Sequence, residues 1–179
     1  GDRADNKSCS GVFLGLYGPN TFYPLAGISK KQTATSHSSV EAEIVAMNAG
    51  VRTEGLPAIL LWEIVLGYEE LDDSSDDETS DTDTSREGSD GLSASSNGQV
   101  QTKLVVYQDN QATARIVWTG KAPTLRHVRR THGINIHWLH EVVRDPEIEL
   151  RDCNTLVQAA DIFTKYFINK DKWLHAITL

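Results

Sequence analysis

Residues 69–90 decide how the rest of this 179-residue chain can fold. They contain eleven Asp and Glu residues against a single base, Arg86. Around them the composition is Ser, Thr and Gly, and Leu92 is the lone large aliphatic between residues 72 and 99. Such a stretch cannot bury enough apolar surface to offset its ordering entropy, so residues 68–102 read as a disordered acidic insertion. A core must then come from residues 1–67 and 103–179 together, two pieces of one α/β domain. The segment from 69 to 90 carries net −10 in a chain of net −8, which leaves +2 for everything else. A near-neutral, slightly basic folded part is compatible with a polyanionic partner.

Several classes drop out. Two cysteines, Cys9 and Cys153, are too few for a disulfide framework or a zinc cage and fit a reducing compartment. The longest apolar run, around Leu56 to Leu66, contains Pro57, Trp62 and Glu63 and falls short of the roughly 18–20 residues a membrane span needs. The chain opens on Gly1-Asp2-Arg3 without an export signal, and is expected to be intracellular and a segment of a longer polypeptide.

Outside the insertion the pattern is mixed. Residues 11–18 and 22–29 are short apolar runs separated by Pro19-Asn20, which predicts a hairpin with irregularities at Gly15 and Pro24. Ser38 precedes Glu41 by three positions, the spacing of a capping box, and Ile44, Met47 and Val51 continue at helical intervals. Gly55 and Pro57 predict a break or kink before the helix resumes through Leu66. After the insertion come a strand at 103–108, a helix to about Trp118, a basic cluster at Arg126, His127, Arg129, Arg130 and His132, and an amphipathic helix to about Val143. A short strand at 147–152 and two closing helices, at 157–165 and 170–179, complete the expected order.

Three carboxylates stand out by position. Glu43 lies in the first turns of the long helix, Asp109 at the carboxyl end of a buried-looking strand, and Asp161 at the start of a helix after the last strand. Carboxylates meeting from separate elements can hold two divalent cations about 3.5–4 Å apart, and hard oxygen ligands favour Mg²⁺ or Mn²⁺. Each also has a plainer explanation: Asp109 as a helix N-cap, Glu43 and Asp161 as complements to a helix dipole. The arginine cluster suits phosphate contacts, or an ordinary solvated helix start. His137, His140 and Glu141 fall within about one helical turn but do not match the spacing of a zinc protease helix.

Taken together the motifs carry more. Ser38-Ser39-Val40-Glu41-Ala42-Glu43-Ile44-Val45-Ala46-Met47, Tyr107-Gln108-Asp109-Asn110-Gln111-Ala112 and Ala160-Asp161-Ile162-Phe163-Thr164-Lys165 resemble, in order, the three downstream motifs of the ribonuclease H domain in copia-type retrotransposon Pol polyproteins. Lys7-Ser8-Cys9-Ser10-Gly11 and Ser29-Lys30-Lys31-Gln32-Thr33 resemble the hairpin of the same family. The likeness covers nearly the whole chain outside the insertion. It implies a ribonuclease H-like α/β fold, a mixed sheet flanked by helices.

The resemblance further implies hydrolysis of the RNA strand of an RNA/DNA hybrid, with two Mg²⁺ or Mn²⁺ ions on Glu43, Asp109 and Asp161 and Glu41 only a helical neighbour. Asn110 and Gln111 become contacts to the hybrid's minor groove, where 2′-hydroxyls are displayed, and Arg126, Arg129 and Arg130 contacts to its phosphates. Implied partners are the hybrid and the reverse transcriptase of the same polyprotein, with no membrane and no small-molecule cofactor, in a cytoplasmic particle or the nucleus. The family's first strand, with its first catalytic aspartate, is expected before Gly1, so that Asp2 and Asp5 match the stretch after it. The loop histidine of some ribonucleases H has no counterpart between Asp145 and Asp161. Two alternatives stand beside this reading: a catalytically dead remnant that at most binds nucleic acid, and a transposase or integrase core using Asp109 and Glu141.

Overall fold

The structure, a computed structural model, describes residues 6–66 and 102–179. The expectations for Asp2, Asp5 and nearly all of the acidic insertion lie outside the described residues. What is described is a mixed α/β arrangement. Strand β1 (Cys9–Gly18) pairs antiparallel with β2 (Thr21–Lys31) across Pro19-Asn20. The ladder slips where it was expected to. Leu14 faces Ala26 while Gly15 faces Pro24, so Leu25 is an extra residue beside a proline that has no N–H to donate.

Gln32, 5% exposed, ties this hairpin to the first helix. Its Nε2 donates to Ser10 Oγ at 3.1 Å and to the Ala42 carbonyl at 2.9 Å, and its Oε1 accepts from Ser36 Oγ. A buried amide with its hydrogen bonds made fixes orientation at little cost. Helix α1 (Ser39–Gly50) starts at Ser38, whose hydroxyl accepts from the Glu41 N–H at 3.1 Å. It runs into a π-helical turn, Val51–Gly55, and then α2 (Leu56–Leu66). The widened turn sits just ahead of Pro57, whose ring and missing N–H disrupt a regular helical ladder. Among the described residues no helix is long and apolar enough to cross a membrane.

Strand β3 (Leu104–Gln108) lies parallel to β4 (Ile148–Asp152), with Leu104 opposite Ile148 and Gln108 opposite Asp152. Between them come α3 (Gln111–Thr119), closed by Gly120 at φ +66°, a 3₁₀ turn at Pro123–Leu125, α4 (Val128–Thr131) and α5 (Ile136–Val142). The expected mixed sheet is thus seen as two separate two-stranded sheets, one antiparallel and one parallel. The helix crosses both. A Cβ on Gly50 would stand 3.1 Å from Val12 of β1, and one on Gly55 would stand 2.7 Å from Leu104 of β3.

One core unites the two halves: Ile44, Met47 and Val51 from the first, and Val117, Leu125, Val128, Ile134, Leu139 and Val143 from the second. The end of the chain departs from expectation. No helix spans 157–165. Instead there are two 3₁₀ turns, Thr155–Val157 and Ala159–Phe163, and only then α6 (Lys170–Ala176). Packing explains it: the Phe163 ring lies where a Cβ on Gly27 would be, at 2.5 Å, and Ser29 Oγ donates to the Phe163 carbonyl at 2.6 Å. Docking on the hairpin overrides the local helical pattern.

Candidate active site

The tight 3₁₀ turn is what carries Asp161 to the other carboxylates. It is held on one side by the hairpin contacts of Phe163 and on the other by Gln158, whose Nε2 reaches the Tyr107 carbonyl at 3.5 Å. The rung from the Cys153 N–H to the Gln108 carbonyl, 3.0 Å, extends the parallel pair to the point where Asp109 leaves β3. Glu43 enters from the second turn of α1.

The charges of Asp109 and Asp161 bear on Glu43, and that of Asp109 bears on Asp161. Burial raises the Glu43 carboxyl above its ordinary range, and the charges of Asp109 and Asp161 raise it further, against the lowering effects of Gln108 and Lys165. Burial also raises Asp161, with Asp109 adding to the shift and Lys165 opposing it. The Cys153 thiol is pushed up by burial and by Asp109, Asp161 and Asp152. Residues from α1, the end of β3 and the last turn therefore share one electrostatic neighbourhood. The donor set, carboxylate oxygens in mutual repulsion, suits a hard divalent cation. The ligands are not drawn into a ready cage: among the described residues no three His, Cys, Asp or Glu side chains stand close enough to hold an ion.

Asp109 is not the helix cap. That place belongs to Asn110, whose side-chain oxygen accepts from the Thr113 N–H at 3.1 Å. The Asp109 carboxylate is left out of the capping role, while the Asn110 oxygen is committed to it. Asp161 does not begin an α-helix; it lies in the first turn of the short 3₁₀ segment Ala159–Phe163. Two neighbours were not singled out from the sequence. Gln108 is 5% exposed, and its Nε2 has no partner at hydrogen-bonding geometry although it acts on Glu43 closely enough to favour the charged form. Lys165 forms a short ion pair with Asp161, four residues earlier.

Glu41 is more than a helical neighbour. It is fully buried, with Oε1 at 3.0 Å from His132 Nε2 and 3.3 Å from His127 Nε2, and Oε2 accepting from the His37 N–H at 2.9 Å. Burial works to raise its carboxyl, but the His37 N–H and the two imidazoles together hold it below the ordinary range. This contact joins the start of α1 to the segment bearing Arg126, Arg129 and Arg130, all three exposed. Arg126 and Arg129 line a shallow groove of about 160 Å³ with Asn135 and His137. Gln111 is exposed beside Asn110.

The remaining histidines make no metal site with Glu141. His140 Nδ1 lies 3.1 Å from the Val117 carbonyl, and His137 pairs with Glu141 at 3.3 Å on the exposed face of α5. Comparison with known proteins finds no matching family model, no similar curated protein and no similar solved structure.

Proposed function

We propose that this chain is the ribonuclease H-like domain of a copia-type retrotransposon Pol polyprotein, acting on the RNA strand of RNA/DNA hybrids. The observation that carries the reading is that the charge of Asp109 raises both Glu43 and Asp161, and that of Asp161 raises Glu43, although the three come from three separate elements. Those three residues hold the metal ions in this proposal. Bound as a pair, Mg²⁺ or Mn²⁺ would supply an activated water and charge stabilisation for the departing oxygen.

The protein's own part is positioning. Gln108 faces Glu43 with its amide, favouring the ionised form that serves as a ligand. Arg126, Arg129 and Arg130 present exposed guanidinium groups to phosphates, which gives affinity without sequence readout. Gln111 and the side-chain amide of Asn110 face the minor groove, where 2′-hydroxyls are displayed. The finer fold is part of the same proposal: β1 and β3 lie under one helix, and a strand between them would merge the two sheets into one mixed sheet. The family's first aspartate would arrive on that strand. Leu60, Leu61, Ile64 and Val65 form an exposed apolar stripe on α2 suited to a neighbouring part of the same polyprotein.

The test is cleavage of a labelled RNA/DNA hybrid. Residues 1–179 alone are expected to give no measurable product with Mg²⁺. Extension upstream by a strand bearing the aspartate gives cleavage that Asp109→Asn abolishes, because an amide cannot supply the anionic ligand. An extended chain that binds hybrid but never cuts it, in Mg²⁺ or Mn²⁺, establishes the catalytically dead alternative instead.

A further inference from the structure

Three carboxylates in partial burial need a counter-charge when no metal is bound, and the structure offers few. Nearby on β4, Arg151 is taken by Glu149, with contacts of 2.7 and 3.0 Å, and Lys103 lies 4.0 Å from the same carboxylate. Among the described residues, Lys165 is the one cation whose charge acts on both Glu43 and Asp161. We propose that Lys165 is the resident counter-ion of this cluster, seated on Asp161 until a divalent cation displaces it.

The geometry suits exchange. The Lys165 backbone N–H donates to the Asp161 carbonyl at 2.8 Å, so the lysine is tethered to the residue it neutralises. Phe163, between them, is fixed to the hairpin by Ser29. The Lys165 side chain is 47% exposed while that of Asp161 is 17% exposed. The ammonium can therefore swing into water by side-chain rotation alone, whereas Asp161 stays where it is and keeps little solvent of its own. Gln108 adds an unspent donor at the site: its buried Nε2 has no hydrogen-bond partner, and its amide acts to lower the Glu43 carboxyl. In this scheme Lys165 is a positioning residue that competes with the metal and stabilises the empty site.

The inference rests on the metal-binding reading above, and its test reads binding rather than hydrolysis. Mn²⁺ affinity is measured by titration calorimetry at pH 7 and low salt on residues 1–179. Lys165→Met is expected to bind Mn²⁺ roughly twofold to fivefold more tightly, the range for removing a competing, partly exposed ion pair. Lys165→Arg keeps the competitor and stays near the wild-type value. In an Asp161→Asn background, Lys165→Met changes affinity less than about twofold, because the lysine has lost its seat. A lysine that only supports the fold predicts weaker binding on removal, so equal or weaker binding by Lys165→Met overturns the proposal while leaving the metal site intact. Absence of Mn²⁺ binding in every variant, with each one folded by circular dichroism, overturns the proposal and shows that Glu43, Asp109 and Asp161 do not suffice to hold the metal.

Discussion

Glu41 and Glu43 stand two positions apart on one helix, yet their surroundings push them in opposite directions. Glu41 is held below the ordinary carboxylate range by the His37 N–H and two imidazoles that outweigh its burial. A group with a depressed folded-state value stabilises above the unfolded-state value, here 4.5, and loses that contribution as pH falls through the folded one. Acid melting that sets in below about pH 4.5 should therefore be blunted in Glu41→Gln. That variant also costs about 1–3 kcal/mol at pH 7, since it leaves buried hydrogen-bonding groups around position 41 imperfectly paired. Urea titrations at pH 7 and pH 4 measure both effects. Glu43 behaves inversely. Its raised value means a contribution fully present below the unfolded value and lost as pH rises through the folded one. Glu43→Gln should raise the metal-free melting midpoint at pH 7, by roughly 2 °C, and remove its stabilisation by Mn²⁺. Glu43 could be singled out from sequence because a motif surrounds it. The role of Glu41 could not, because His132 is 91 residues away and nothing local announces the contact.

At the scale of elements, legibility followed whether local forces or docking decided the conformation. The hairpin, its slip at Gly15 and Pro24, and the interruption ahead of Pro57 were all readable, since alternation and proline chemistry act within a few residues. The turn bearing Asp161 was not. Its apolar residues suit a helix, but the hairpin receives them as a compact turn, and Gly11 and Gly27 provide the space. A Cβ on Gly11 would lie 2.7 Å from the Ala160 carbonyl oxygen and 2.6 Å from Thr164, and a backbone atom cannot rotate away. Gly11→Ala should cost about 1–3 kcal/mol by overpacking. Because the displaced segment carries Asp161, it should also weaken Mn²⁺ binding. Gly50→Ala meets only the Val12 side chain, at 3.1 Å, and should leave Mn²⁺ binding near wild type. Calorimetric titration of the two variants side by side decides whether the glycine at β1 positions the site or merely fills space.

Across the whole molecule, the need for one core from two distant pieces was legible in the acidic composition of residues 69–90, and the shared cluster from Ile44 to Val143 meets it. The separation into two sheets was not legible, since alternation predicts strands but not which edges pair. Charge has a separate consequence at this scale. Deleting residues 69–90 takes the formal net charge from −8 to +2 and leaves in place every core residue identified among the described residues. The melting midpoint should therefore move by less than about 2 °C, while affinity for a hybrid duplex should rise several-fold at low salt. On the proposed function the acids would repel the same phosphates that Arg126, Arg129 and Arg130 would attract, and such repulsion reaches about a Debye length, near 10 Å at 0.1 M salt. Raising the salt should close the gap between the deleted and intact chains, because long-range repulsion is screened before direct arginine–phosphate contacts are lost. Fluorescence anisotropy with a labelled hybrid from about 50 to 300 mM NaCl follows both curves. Parallel curves, offset equally at every salt, would mean that the acidic segment acts through contact rather than through its field.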